Sequence, residues 1–313
     1  MSDRHAPKVL WRHETAVWCQ EMSEQDGEHR LTREYRQQPS SWSSWSSGPS
    51  GHRAESGGAG DLGRLVLVPV ETGYPRTLAF VDTGPQTLIQ LIQALPRTRE
   101  TQRDPLRWFL GQVMTELGQT VAELHDSPVS TASELPDEPT MGMARLRGYL
   151  FDETTDVVRR LFTALGSARM DVARSCYSDA TWDTDPRPIH GGLALGSVVP
   201  LAPSGKTLLA GPEVGRGIPE LDLGWLAGEL TELEIEFQGT GQNAEVVGSL
   251  WPSFYAAYTD AFSGTTDARR VTAARLLRVL LHYCDFVSTY PNLPIGEAQV
   301  GVLLWLIDDY VST

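Results

Sequence analysis

Across 313 residues, 41% apolar and 21% charged, the chain has room for a well-filled core divided between two lobes or domains. Its formal net charge of −14 removes the basic footprint that binding to a nucleic-acid backbone requires. Three scattered cysteines (Cys19, Cys176, Cys284), no apolar leader and no run near ~18 apolar residues argue against a disulfide framework, a zinc site, a signal peptide and a membrane span, so the expectation is a cytoplasmic protein.

The first elements are short strands. KVLWRH (8–13), TAVWCQEM (15–22) and HRLTREYRQ (29–37) alternate in polarity, with a polar turn at SEQDGE. Residues 39–60, PSSWSSWSSGPSGHRAESGGAG, have the Ser and Gly content of a flexible surface insert. Trp42 and Trp45 are expected to anchor that insert onto the fold, ahead of docking on a partner. LGRLVLVPV (62–70) and RTLAFVD (76–82) predict two further strands, and PQTLIQLIQAL (85–95) has helical periodicity.

A long helix is signalled from Asp104, with Asp104 as cap and Pro105 at the first helical position. Leu106, Leu110, Val113, Leu117, Val121 and Leu124 form its apolar stripe, and it ends in AELHDSP. His125, at that end, is expected to be structural rather than a general base. After a loop at 129–140, residues 143–179 predict one or two helices. Four helical segments close the chain: 221–237, 246–262, 266–290 and 296–311. In the third, Arg275, Arg278, His282 and Asp285 share one face, while Leu276, Leu277, Leu280 and Cys284 share another. The last is almost wholly apolar, which predicts burial. Cys284 reads as a small buried hydrophobe.

Between the two helical regions lies Arg187–Glu229, RPIHGGLALGSVVPLAPSGKTLLAGPEVGRGIPELDLGWLAGE. PSGKT within it is not a P-loop, because Pro200 stands where the first glycine belongs; Pro-Ser-Gly between apolar runs is a hairpin turn. The stretch resembles the catalytic segment of the aminoglycoside-phosphotransferase branch of the protein-kinase-like superfamily. That branch reads roughly H-G-D-L-x-x-x-N, a hairpin, an I-D-W turn, G-x-G-D-P, then D-L-A. His190, Gly191, Leu193, Gly215, Gly217, Pro219, Asp222 and Leu223 match this frame.

The resemblance implies an α+β, kinase-like bilobal fold: a β-rich N-lobe over 1–84, a hinge at Asp82-Thr83-Gly84, and a mainly helical C-lobe over 85–313. It places the catalytic Asp at Gly192, the metal-binding Asn at Ser197 and the metal-binding Asp at Ala210, all three lost. Arg33, Arg36, His190 and Asp82 would border the nucleotide cleft. Gly217, Pro219 and Asp222 would be structural, with Asp222 capping its helix and bracing the preceding loop.

Phosphoryl transfer by such a fold is positioning plus charge neutralisation, and magnesium needs hard oxygen ligands. Gly192 and Ala210 carry no side-chain oxygen and Ser197 only a neutral hydroxyl, so no confident metal site or cofactor is expected. The third strand also lacks the nucleotide-contacting Lys. Only Lys8 and Lys206 occur among 26 Lys and Arg residues, one too early and one in the hairpin turn. Arg33 or Arg36 supplies charge without matching an ammonium in position. Glu213, three residues past Ala210, and Asp183 are the weak candidates for a relocated acid. Together with Asp185 and Glu220 they read as solvated loop charges.

Three readings follow. The first is a degenerate, pseudokinase-like protein that binds a peptide or partner protein. The second is an active phosphotransferase of altered layout, using ATP or GTP with magnesium on peptide Ser/Thr or a small-molecule hydroxyl. The third is a structural subunit docked through Trp42 and Trp45. The central stretch also resembles the phosphotransferase-like proteins of class V lanthipeptide and thioamitide pathways. That implies work on a precursor peptide beside a separate lyase.

Overall fold

The computed structural model describes residues 8–14, 18–25, 28–35, 66–67, 77–81, 86–127, 140–152, 155–181, 186–200, 206–209, 213–240, 243–293 and 296–313. Arg36, the insert at 39–60 with Trp42 and Trp45, the hinge with Asp82, Asp183, Asp185 and Ala210 lie outside these residues. The strands run β1 (Lys8–Glu14), β2 (Trp18–Gln25), β3 (Glu28–Tyr35), β4 (Val66–Leu67), β5 (Thr77–Val81), β6 (Arg187–Ile189), β7 (Val198–Pro200), β8 (Lys206–Leu209) and β9 (Gly215–Gly217). The helices run α1 (Leu88–Ala94), α2 (Glu100–His125), α3 (Met141–Phe151), α4 (Asp156–Leu165), α5 (Ser167–Thr181), α6 (Pro219–Thr240), α7 (Ala244–Ala261), α8 (Ala268–Thr289) and α9 (Glu297–Ser312). Two compact units result: Met1–Val113 with Leu195–Pro212, and Met114–Ala194 with Glu213–Thr313.

In the first unit, antiparallel pairing orders one sheet β1-β2-β3-β5. Period-two alternation turns Gln20 and Met22 of β2 inward, and Met22 pairs with Leu31, both fully buried. β4 does not join this sheet. It runs parallel to β8, which pairs antiparallel with β7 as the two arms of the expected hairpin. Lys206 is the first residue of β8, paired with Pro200, not a turn residue. α1 packs on the 195–200 segment and is held at its start by the Thr87 N–H, which donates to Gln90 Oε1 at 3.0 Å.

α2 begins at Glu100, four residues ahead of the expected cap at Asp104, and carries Pro105 inside the helix. Asp104, Pro105 and Thr101 are all exposed, so water can meet the Thr101 carbonyl that the proline leaves without a donor. Leu110, Val113, Leu117 and Val121 of the expected stripe are buried.

The second unit is helical. Its 141–181 region is three helices where one or two were expected, because local chemistry divides it. Thr155 caps α4 by accepting the Val158 N–H at 3.5 Å, and Gly166 at φ +84° ends it. α6 and α8 approach closely through glycines: a Cβ on Gly224 would lie 2.4 Å from Ala274 Cβ and 2.6 Å from the Val271 carbonyl oxygen. The charged face of α8 clamps its neighbours. Arg278 donates to Glu232 of α6 at 3.2 Å, Arg275 pairs with Asp309 of α9, and Asp285 accepts from Arg145 and Tyr149 of α3 at 2.9 and 3.1 Å. Leu276, Leu277, Leu280 and Cys284 fill the core from the opposite face. α9 corrects an expectation: it buries Leu303, Leu306, Ile307 and Tyr310 but leaves Trp305 50% and Val311 62% exposed. A helix packed against neighbours on one side covers only one stripe, whatever its mean hydropathy. Among the described residues, no helix is long and apolar enough to cross a membrane.

Candidate functional site

β6 and β9 pair antiparallel through Arg187↔Gly217, Pro188↔Arg216 and Ile189↔Gly215. The ladder delivers His190, Gly191 and Gly192 just past the end of β6 and sets Glu213 in the turn before β9. Gly191 has φ +75°, and a Cβ there would lie 2.0 Å from the Glu213 carbonyl oxygen and 2.7 Å from Thr140 Cγ2. Both the backbone region and the space therefore demand glycine.

Asp222 holds this loop from below its backbone. α6 starts at Pro219, whose ring fits a first helical position, so Asp222 is the fourth helical residue and not the N-cap that the sequence predicted. Its carboxylate instead accepts the His190 N–H at 2.6 Å and the Gly191 N–H at 2.8 Å. The same Oδ2 lies 3.1 Å from His125 Nε2, and His125 Nδ1 lies 2.9 Å from the Tyr258 hydroxyl. One assignment satisfies every group: Nε2–H donates to the carboxylate and the Tyr258 O–H donates to Nδ1. Burial alone would push the Asp222 carboxyl up. The hydrogen bond from His125, the nearby His125 and His190 rings and the His190 N–H overcome this and hold it below the ordinary carboxylate value. Burial, with Glu220, Asp222 and Asp126 nearby, raises the Tyr258 phenol, which keeps its proton.

A second brace sits beside the first. Asp126 accepts the Ser263 N–H at 2.8 Å, the Ser263 hydroxyl at 2.7 Å and the Arg187 guanidinium at 3.3 Å. That guanidinium also lies 5.6 Å from the Phe262 ring centroid. The end of α2, the start of β6 and the end of α7 are thereby tied together.

Of the positions the resemblance singles out, Gly192 is half-buried at the end of the braced loop, and a Cβ there would lie 3.4 Å from Glu213 Cγ. Ser197 is buried in a 3₁₀ turn, Leu195–Ser197, of the first unit. Arg33 stands on β3 opposite Gln20, and Lys8 opens β1. Gly217 ends β9, and His190 is buried. Glu213 is half-buried rather than solvated. Glu220 is not a loop charge either: it lies in the first turn of α6, 5% exposed, and accepts the Asp267 N–H at 2.9 Å. Sequence reasoning missed Tyr258, Thr140, Asp126 and Arg187. Tyr258 lies 133 residues from His125, and no local pattern links them. The His-Asp pair closing α2 was the one visible signal for Asp126.

Gly192 carries no side-chain oxygen, and the Asp222 carboxylate is committed to two backbone N–H groups and His125. Among the described residues, no three His, Cys, Asp or Glu side chains converge as magnesium ligands would.

No protein-family profile and no curated protein matches the chain. Solved structures do. The spectinomycin phosphotransferase APH(9)-Ia, in complex with ADP and spectinomycin, aligns with a TM-score of 0.54 at 10% identity, over 99% of this chain and 93% of its own. The choline kinase LicA from Streptococcus pneumoniae aligns at 0.53 and 11% identity, over 98% and 95%. An aminoglycoside-3'-phosphotransferase of type VIII aligns at 0.51 and 16% identity, over 87% and 92%. At these identities the likeness is one of fold, and the fold is the kinase-like one expected from the central segment.

Proposed function

We propose that this chain is a degenerate, pseudokinase-like relative of the phosphotransferases whose fold it shares, and that it acts by binding a peptide or a partner protein. The observation that carries this reading is the loop His190–Gly192. Its backbone is held by a buried carboxylate, a buried histidine and a buried tyrosine, yet it ends in a glycine with no side-chain oxygen where the resemblance places the catalytic acid. The supporting scaffold is kept and the reacting group is gone. The likeness of the central stretch to proteins of lanthipeptide and thioamitide pathways favours a precursor peptide as the ligand, with a separate lyase as partner in dehydrating Ser and Thr.

Calorimetric titration with ATP and with GTP, each with and without magnesium, tests the loss of catalysis. Absence of binding in all four titrations is the expected result. Magnesium-dependent binding in the micromolar range overturns it and favours an active phosphotransferase of altered layout.

A further inference from the structure

Continuing the β6–β9 register past Ile189↔Gly215 brings Glu213 opposite Gly191, so its place beside the loop is set by the ladder. The close approach of its carbonyl oxygen to Gly191 fixes it again. From there its side chain runs along Gly192: Glu213 Cγ and Cβ lie 3.4 and 3.6 Å from where a Cβ on Gly192 would stand. Glycine at 191 is required by a positive φ and by a clash. Glycine at 192 is required by neither, since its φ lies outside the left-handed range and the nearest contacts are at ordinary van der Waals separation. Nothing in the backbone forbids a side chain at 192. The space such a side chain would enter is bordered by the side chain of Glu213.

We propose that Glu213 serves in place of the side chain missing at Gly192, its carboxylate accepting a hydrogen bond from the hydroxyl of a Ser or Thr in a bound peptide. This rests on the peptide-binding reading above and names the chemistry of that site. A carboxylate offers about four lone-pair sites, so an interaction of Glu213 within the fold leaves room for a further donor. A hydroxyl-to-carboxylate bond is charge-assisted and selects hydroxyl over methyl.

The test is a set of fluorescein-labelled decapeptides with a central Ser, each matched by the same peptide with central Ala. Both are titrated by fluorescence anisotropy against the wild type, Glu213→Gln, and the double variant Gly192→Asp/Glu213→Gln. Glu213→Gln keeps the side-chain volume, and a thermal melt verifies folding of each variant. The wild type is expected to prefer Ser over Ala by about tenfold. Glu213→Gln, whose amide oxygen is an uncharged and weaker acceptor, reduces that preference, and the double variant regains it by returning a carboxylate to the same space. A Ser preference undiminished in Glu213→Gln, equal binding of both peptides by the wild type, or no recovery in the double variant overturns the role of Glu213 and leaves peptide binding standing. No binding of any peptide by the wild type overturns both.

Discussion

His125 Nε2 lies 3.1 Å from Asp222 Oδ2 with both side chains fully buried, and through that contact the end of α2 is joined to the start of α6. Because Asp222 also carries two backbone N–H groups of the His190 loop, this pair sets the loop geometry.

Replacing Asp222 by Ala orphans two buried backbone donors and the His125 ring N–H at once. The expected loss is about 3 kcal/mol or more of unfolding free energy, read by urea denaturation. A loss under about 1 kcal/mol would show that the brace holds nothing.

Acid should weaken the same brace. The folded Asp222 carboxyl is held below its ordinary value, so its stabilisation is complete above the unfolded value, about pH 4, and disappears as pH falls through the depressed folded one. Unfolding free energies of the wild type and Asp222→Asn, measured from neutral pH downward, should differ by a constant amount to about pH 4 and converge below it. Parallel curves throughout the acid range contradict the depressed value.

Two glycines of α6 should respond in opposite ways to alanine. Gly224→Ala drives a methyl to 2.4 Å from Ala274 Cβ and is expected to cost about 1–3 kcal/mol. Gly239→Ala, on the same helix with nothing within 4 Å, should be neutral or stabilising by up to about 1 kcal/mol from helix propensity alone. Thermal melts of the two variants give the comparison, and equal effects would mean that α6 and α8 are less closely packed than described.

The thiols should separate by burial. Burial pushes Cys176 up to about 12 and also raises Cys284, and both side chains are fully buried. An aromatic disulfide reagent at about pH 8 should leave both unmodified in the native protein and modify both in denaturant. Rapid native labelling at either position, located by peptide mass analysis, would contradict that burial.

The sheet, the apolar stripe of α2 and the four closing helices were legible because a buried face repeats at the period of its element, a property of neighbours in sequence. The residues matching the phosphotransferase frame were legible too, including Asp222, although its role as cap was not the one it performs. Helix boundaries were less so: the start of α2 ran past Asp104 and Pro105 because exposed residues there let water replace the missing bond. The near-complete burial expected of α9 failed because composition does not tell how many sides of a helix find a neighbour.

What the sequence by itself determined is the broad succession of strands and helices and the glycine at 192, since these follow from residue identity and spacing. Only the tertiary structure decided that Tyr258 closes the chain of hydrogen bonds through His125 to Asp222, that Glu220 reaches the start of α8, and that Glu213 lies against Gly192. Each joins groups from elements whose approach depends on packing, and packing is set by the whole core rather than by any stretch of chain.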